Sequence, residues 1–584
     1  MRRGFGLTQK VRAKREWIFN GHKSREVRYC VDFEDINGVY DTMKRGIVCL
    51  FIVALVFLVS FGQCESTREG LDPFYLAGRR LFESILGRQG VLNEGKTNEK
   101  RDLFPRPPAT TTVSRTPSST IWHLHPTKTT GMNTGAPTPI SSNKPIRFQI
   151  NPGEVHKYEL SGFNLSGDHT NLYTTINVCS EPQSETLFGK GGPNGLLLYA
   201  SNENDTDEHL PGIETQFGFA NVTLLQLNNT YGIAMVVAPD LDDAQGNWTY
   251  EIGMSTVGPI HSVNSHPNLY LVDTDFANAL FVTGNLTENR NVSDYDIYIY
   301  SATNSINRRL MGSYCALSTH GALLNTKNTN VSTTTRGPGK TKGQFFVHSL
   351  NKSTNYFAYL TQPNINMEGG VVFHSVNYST KAEQNCQLVF DLEFCADVAF
   401  AVPGNASMFE PPELGHFYDE MARHRYTNFS RSLENVACNA TDENRYSLMR
   451  NCDNCADSYK QWLCAVTIPR CTDYTLNHTF LRPVKAGQSR NPEVNKVIRP
   501  GKYKEIMPCA DLCYRIVQDC DPSFAFQCPK KGRGLENSYG EYSDNGDISC
   551  SYPGAVYFLS AAHHITAGHF LSLLLFAISL FILW

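Results

Sequence analysis

The stretch Pro508-Cys509-Ala510-Asp511-Leu512-Cys513-Tyr514-Arg515-Ile516-Val517-Gln518-Asp519-Cys520 spaces three cysteines as C-x3-C-x6-C. At 3.6 residues per turn this spacing brings all three to one face of a helix, where they can be disulfide-bonded to neighbouring segments. Upstream stand Cys438, Cys452, Cys455, Trp462-Leu463-Cys464 and Cys471, and downstream Cys528 and Cys550. The ten cysteines between Asn428 and Cys550 read as one stapled module over 428–552, whose bridges join two helical stretches across a small core.

The cysteine count favours oxidation over metal or thiol chemistry. Of seventeen cysteines, Cys30, Cys49 and Cys64 lie in or before a leader. Fourteen remain: Cys179, Cys315, Cys386 and Cys395 join the ten of the module, an even number that allows complete pairing. Spacing alone leaves the connectivity open. Cys452-Asp453-Asn454-Cys455 has the form of a redox or zinc pair, but no His/Cys knuckle follows it, so neither a metal nor a cofactor is expected.

Met43-Lys44-Arg45 followed by the apolar run Ile47 to Phe61 has the basic start, short hydrophobic centre and polar exit of a signal peptide, spanning 43–64. Residues 1–42 form a polar extension, consistent with a misassigned start; the alternative is an anchor with a cytoplasmic tail, for which the run is short of the ~20 residues a span needs. Sequons at Asn164, Asn204, Asn221, Asn228, Asn247, Asn285, Asn291, Asn330, Asn351, Asn377, Asn405, Asn428, Asn439 and Asn477 tile the middle of the chain. So many acceptors imply a glycoprotein whose loops face a secretory lumen. At the other end, residues 560–584 combine small residues (Ser560, Ala561, Ala562), a polar spacer and the uncharged run Phe570 to Trp584. This is the form of a GPI-attachment signal with Ser560 as the lipid-anchor candidate; a short tail-anchoring helix is the competing reading. Without its first 64 residues the chain keeps 41 basic against 50 acidic residues, a formal charge of −9, which excludes nucleic acid as a natural partner.

Between these ends, 65–100 holds a short amphipathic pattern, and 101–145 is a Pro/Thr/Ser-rich linker. Short alternating runs rich in Tyr, Phe, Val and Thr over 146–402 are strand signals. The expected fold class is therefore β-rich, one or two sandwich-like domains, followed by an α-helical disulfide-rich domain. A split at 146–260 and 261–402 is suggested by a faint internal similarity. Leu227-Asn228-Asn229-Thr230-Tyr231 is echoed by Leu350 to Tyr356, with Cys179 and Cys315 preceding each. Chance likeness of Asn-rich loops is the alternative.

No catalytic constellation emerges. The sequence has no G-x-S-x-G elbow and no H-E-x-x-H, and Arg336-Gly337-Pro338-Gly339-Lys340-Thr341 lacks the spacing of a phosphate loop. The chain is not expected to be an enzyme. The acidic runs Asp205 to Glu208 and Asp240 to Asp243 offer oxygen ligands for calcium, although such runs are ordinarily solvated turns.

Trp462-Leu463-Cys464, Cys471-Thr472 and Pro508-Cys509-Ala510-Asp511-Leu512-Cys513 with Cys520 resemble the cysteine framework of Frizzled-type domains. Together with the leader, the sequons and the β-rich middle, the arrangement over residues 145 to 555 resembles the fungal mating-induced-death family of stretch-activated calcium channel components. The resemblance implies an extracellular accessory component of a plasma-membrane calcium influx channel. Its implied partner is a four-repeat voltage-gated-type pore subunit, and calcium ions are the transported species. The implied location is the secretory pathway to the outer face of the plasma membrane, with the endoplasmic reticulum as a second station. Trp462, Leu512, Tyr514, Ile516 and Val517 are the candidate partner contacts, because aromatic and aliphatic anchors dominate interfaces; the competing reading assigns them to the module's own core. A self-sufficient channel, a Frizzled-like receptor for an acyl or peptide ligand, and a cell-wall enzyme or adhesin are the alternative functions.

Overall fold

The strands Ile233–Val237 and, from Lys157 onward, Val155–Leu160 alternate inward buried and outward half-exposed residues, the period-2 pattern of a sheet with one covered face. A computed structural model of the chain describes residues 121–123, 136–160, 170–184, 195–201, 211–227, 232–241, 244–303, 309–319, 321–337, 340–438, 440–441, 446–542 and 548–557. The 1–42 extension, the 43–64 leader, the 65–100 segment, most of the 101–145 linker and the 560–584 tail with Ser560 lie outside the described residues. So do Asn164, Asn204, Asn228 and Asn439.

The first β-unit stacks two sheets. One sheet runs in the order Ile121–His123, Pro211–Glu214, Leu197–Ser201, Ile233–Val237, Val155–Leu160, Thr138–Ile140; the other runs Ile146–Ile150, Trp248–Ser255, Thr170–Ser180, Phe219–Leu227. Tyr158, Leu198 and Val236 of the first sheet meet Ile176, Trp248 and Ile252 of the second in a closed apolar core. The second unit repeats the architecture. Its sheet His261–Asn264, Gly370–Phe373, Asn355–Pro363, Asp296–Ser301, Leu324–Asn325, with Val376–Ser379 added beside Asn355–Pro363, faces the sheet Leu269–Thr274, Ala279–Asn285, Lys342–Val347, Thr329–Thr334. Phe281, Phe345, Ile297 and Tyr356 fill the space between.

Both Asn-rich segments carry the chain from one sheet of a sandwich to the other, Phe219–Leu227 to Ile233–Val237 and Lys342–Val347 to Asn355–Pro363. The likeness ends there. Cys179 lies in a strand, Cys315 in the short helix Tyr314–Thr319, and the two bond to each other, tying one sandwich to the next.

After Ser379 the chain forms the hairpin Cys386–Val389/Phe400–Pro403, the long helix Pro411–Leu433, the helices Cys452–Thr467 and Ala510–Asp519, and a three-stranded sheet ordered Arg470–Thr472, Tyr503–Ile506, Leu481–Val484. Val389, Val398 and Val402 of the hairpin, Leu414 and Tyr418 of the long helix, and Ile468 and Val494 share one core. On its other side the hairpin covers the second sandwich: Val272, Leu280 and Val282 pack against Leu388, Ala399 and Tyr557. Asp273 fixes this seam. Its carboxylate pairs with Lys381 Nζ at 2.9 Å and Arg470 Nη2 at 3.0 Å, and accepts the Ala401 backbone N–H at 3.2 Å.

Candidate functional site

The cysteine-rich body is where the sequence concentrates its chemistry. Among the described residues fourteen cysteines form seven disulfides: Cys179–Cys315 between the sandwiches, and six within the C-terminal body. These six are Cys386–Cys471, Cys395–Cys464, Cys438–Cys452, Cys455–Cys520, Cys509–Cys550 and Cys513–Cys528. Two of them reach back past residue 428 to the hairpin, so the stapled body includes Cys386 and Cys395. The three cysteines of the C-x3-C-x6-C run bracket and line one helix and bond to three different segments.

Local sequence explains the two helices. Asn451 caps the Cys452–Thr467 helix: its side chain accepts the Asn454 N–H at 2.9 Å, while Asn454 accepts the Asn451 N–H at 3.1 Å. At the far end, the Arg490 guanidinium donates to the carbonyls of Val466 and Ala465 (3.2 Å to the latter), and Asn491 donates to that of Thr467 at 3.3 Å. A cation at a helix C-terminus satisfies otherwise orphaned carbonyls. The same guanidinium pairs with Glu505, which is fully buried.

The Ala510–Asp519 helix turns Leu512, Cys513, Ile516 and Asp519 inward. Asp519 gathers the surrounding chain: Arg450 Nε lies 3.1 Å from its carboxylate, Ser458 donates to it, and the Tyr446 hydroxyl donates to its carbonyl at 2.9 Å.

The five proposed contact residues separate. Leu512 (1% exposed) and Ile516 (3%) are interior residues, Ile516 in helical phase with Cys513 and Cys520, and so both are withdrawn as partner contacts. Tyr514 (40%) and Val517 (46%) stand on the outward face, one turn apart. Trp462 is half-buried; its indole N–H donates to the Tyr539 hydroxyl at 2.8 Å, and its ring lies 5.5 Å from that of Tyr459. Burial pushes the phenols of Tyr459 and Tyr539 above their ordinary range. Tyr459 in turn stacks on Phe429 at 3.6 Å, beside Phe524 and Phe526. Sequence reasoning missed this half-buried aromatic cluster. The signal for it was Phe524-Ala525-Phe526 immediately after Cys520.

Of the sequon asparagines, Asn221, Asn291, Asn330, Asn351, Asn377, Asn428 and Asn477 are exposed, and Asn247, Asn285 and Asn405 half-buried. Of the two acidic runs, Asp205 to Glu208, Asp242 and Asp243 lie outside the described residues; Asp240 is exposed. Arg336, at the start of the loop that lacks phosphate-loop spacing, pairs with Asp391 and donates to Gln344 Oε1 at 2.9 Å. Glu251 lies beside Cys179 and Cys315, but those sulfurs are bonded to each other and offer no thiolate to a metal.

Residues 171–556 match the model of the Mid1 family, described as a stretch-activated Ca2+-permeable channel component. The chain belongs to this family. Every cysteine of the seven bridges falls inside the Mid1 match. The chain is similar to the stretch-activated cation channel yam8 of Schizosaccharomyces pombe, 37% identical over 437 residues that cover 70% of this chain and 88% of that protein. It is also similar to the stretch-activated cation channel MID1 of Saccharomyces cerevisiae, 30% identical over 495 residues, covering 72% and 89%. Among solved structures, the pre-peptidase C-terminal domain of a Bacillus anthracis collagenase aligns with 20% of this chain and 95% of its own length at 15% identity. Its TM-score of 0.14 carries no argument.

Proposed function

We propose that this member of the Mid1 family is an extracellular, non-enzymatic accessory component of a plasma-membrane calcium influx channel, acting with a four-repeat pore subunit. The observation that carries the reading is the way the described body is filled. Both sandwiches enclose closed cores of fully buried side chains, among them Trp248, Tyr250, Phe281 and Phe345, and the C-terminal body is stapled by six disulfides. A packed, cross-linked body of this kind is suited to docking on a channel and shifting its folding, delivery or gating by differential binding. Among the described residues no helix is long and apolar enough to cross a membrane.

In this reading the chain enters the secretory pathway through the 43–64 leader, carries N-glycans, and is held at the outer face of the membrane through its C-terminal signal. Tyr514 and Val517, with the edge of Trp462, supply the apolar contacts to the pore subunit's extracellular loops. The test is affinity purification of the tagged protein from gently solubilised membranes, with calcium uptake measured in a deletion strain. Recovery of a four-repeat subunit together with lost uptake is the expected result. Normal uptake and no channel partner would instead favour a Frizzled-like ligand-binding role, and calcium conductance by the purified chain alone in a bilayer would favour a self-sufficient channel.

A further inference from the structure

Three exposed sequons occupy positions of one kind. Asn221 lies within Phe219–Leu227, Asn330 within Thr329–Thr334 and Asn377 within Val376–Ser379. Among the described residues each of these strands is terminal in its sheet: Phe219–Leu227 pairs only with Thr170–Ser180, Thr329–Thr334 only with Lys342–Val347, and Val376–Ser379 only with Asn355–Pro363. A terminal strand presents N–H and C=O groups on which a second chain can pair; in Val376–Ser379 the Ser379 carbonyl already accepts the Thr274 hydroxyl at 3.0 Å.

The N-x-S/T pattern suits such a strand, because period 2 puts the asparagine and the hydroxyl residue on the same side. Asn221 and Thr223 are exposed while Val222 packs on the first core; Asn377 and Ser379 are exposed while Tyr378 is buried in the second.

Two other terminal strands are blunted differently: Thr138–Ile140 contains Pro139 and Leu481–Val484 contains Pro483, each lacking a ladder donor.

We propose that N-linked glycans on Asn221, Asn330 and Asn377 guard three open sheet edges against strand pairing between chains. A bulky, hydrated glycan at mid-strand excludes a second backbone from the ~4.8 Å approach that a ladder requires. This inference rests on the secretory-pathway reading, and the experiment separates the two.

Glycopeptide mass spectrometry of the full-length chain, purified in mild detergent, first reads occupancy. Glycan on all three edge asparagines is expected. Glycan elsewhere but not on these three overturns the edge proposal alone; none anywhere overturns the secretory reading with it.

The combined variant Asn221→Gln, Asn330→Gln, Asn377→Gln is then compared by light scattering with a control, Ser293→Ala, Ser353→Ala, Thr479→Ala, which removes three turn sequons. The edge variant is expected to shift to larger species and the control to keep the size of the unmodified protein. Adding Thr223→Lys and Val331→Lys, which place charges on two of the bared edges, is expected to reverse the shift.

Should the edge variant fail to accumulate, glycans are removed enzymatically from the folded protein with and without the two lysines; association of the lysine-free form alone supports the proposal. Equal association of edge and control variants, or no rescue by lysine, overturns it.

Discussion

Asp273 shows how one carboxylate holds two parts of the molecule together. Burial pushes its pKa up, but the neighbouring Lys381 ammonium and Arg470 guanidinium outweigh that and hold it below the ordinary 3.8. A lowered folded-state pKa contributes stability that is complete above the ordinary value and is lost as pH falls through the folded one. Acid denaturation is therefore expected to open this seam only below about pH 3.8, and Asp273→Asn should flatten the acid limb, as read by near-UV circular dichroism against pH. Asp273→Ala strands two largely buried cations and should cost about 3–5 kcal/mol in denaturant unfolding. Nothing in the sequence announced this triad, because Asp273, Lys381 and Arg470 are far apart in the chain and each looks like ordinary surface charge.

At the scale of elements, the disulfides and the Arg490 cap decide whether the helical body holds. Losing a bridge typically costs about 2–5 kcal/mol. The Cys455–Cys520 bridge closes 65 residues and Cys513–Cys528 only 15. In the chain-entropy account, Cys455→Ser with Cys520→Ser should therefore destabilise by about 1 kcal/mol more than Cys513→Ser with Cys528→Ser. Matched thermal melts of the two variants test the order. Arg490→Ala leaves Glu505 buried without its cation, at about 3–5 kcal/mol, whereas Arg490→Met combined with Glu505→Met should recover most of that loss. Helix existence here was legible from the cysteine spacing; the Asn451 cap came to light only in the structure. The inward side was legible too, since residues in phase with Cys509, Cys513 and Cys520 must face the bridges. That phase assigns Ile516 to the core and Tyr514 to the surface, but not Val517, which follows Cys513 by one turn and is nevertheless exposed. Leu512 is less plain, because it lies at the margin of that face and is buried by tertiary packing.

For the whole molecule, strand alternation made the β-rich middle readable but left the number of sandwiches open, and the cysteine cluster made the C-terminal body readable. The joints between them were not, because they depend on contacts between residues remote in sequence. At the first joint, Arg147 and His261 lie 2.7 and 3.5 Å from Glu251, next to the Cys179–Cys315 bond. Replacing both cysteines by serine removes a constraint of about 4–5 kcal/mol in the chain-entropy account. Faster hydrogen exchange in the Tyr314–Thr319 helix, with both sandwich cores still protected, is the expected outcome. The same bond has a consequence in time. Its halves are 136 residues apart, and at about 5–20 residues per second Cys179 waits about 7–27 s for its mate to be synthesised. No cysteine lies between the two, so no competitor arrives during the wait. Cys386 has the opposite history: Cys395, Cys438, Cys452, Cys455 and Cys464 all precede its mate Cys471. The need for a disulfide-shuffling catalyst during biosynthesis thus falls on the last third of the chain, and a shortage of that catalyst would trap molecules whose sandwiches are already finished.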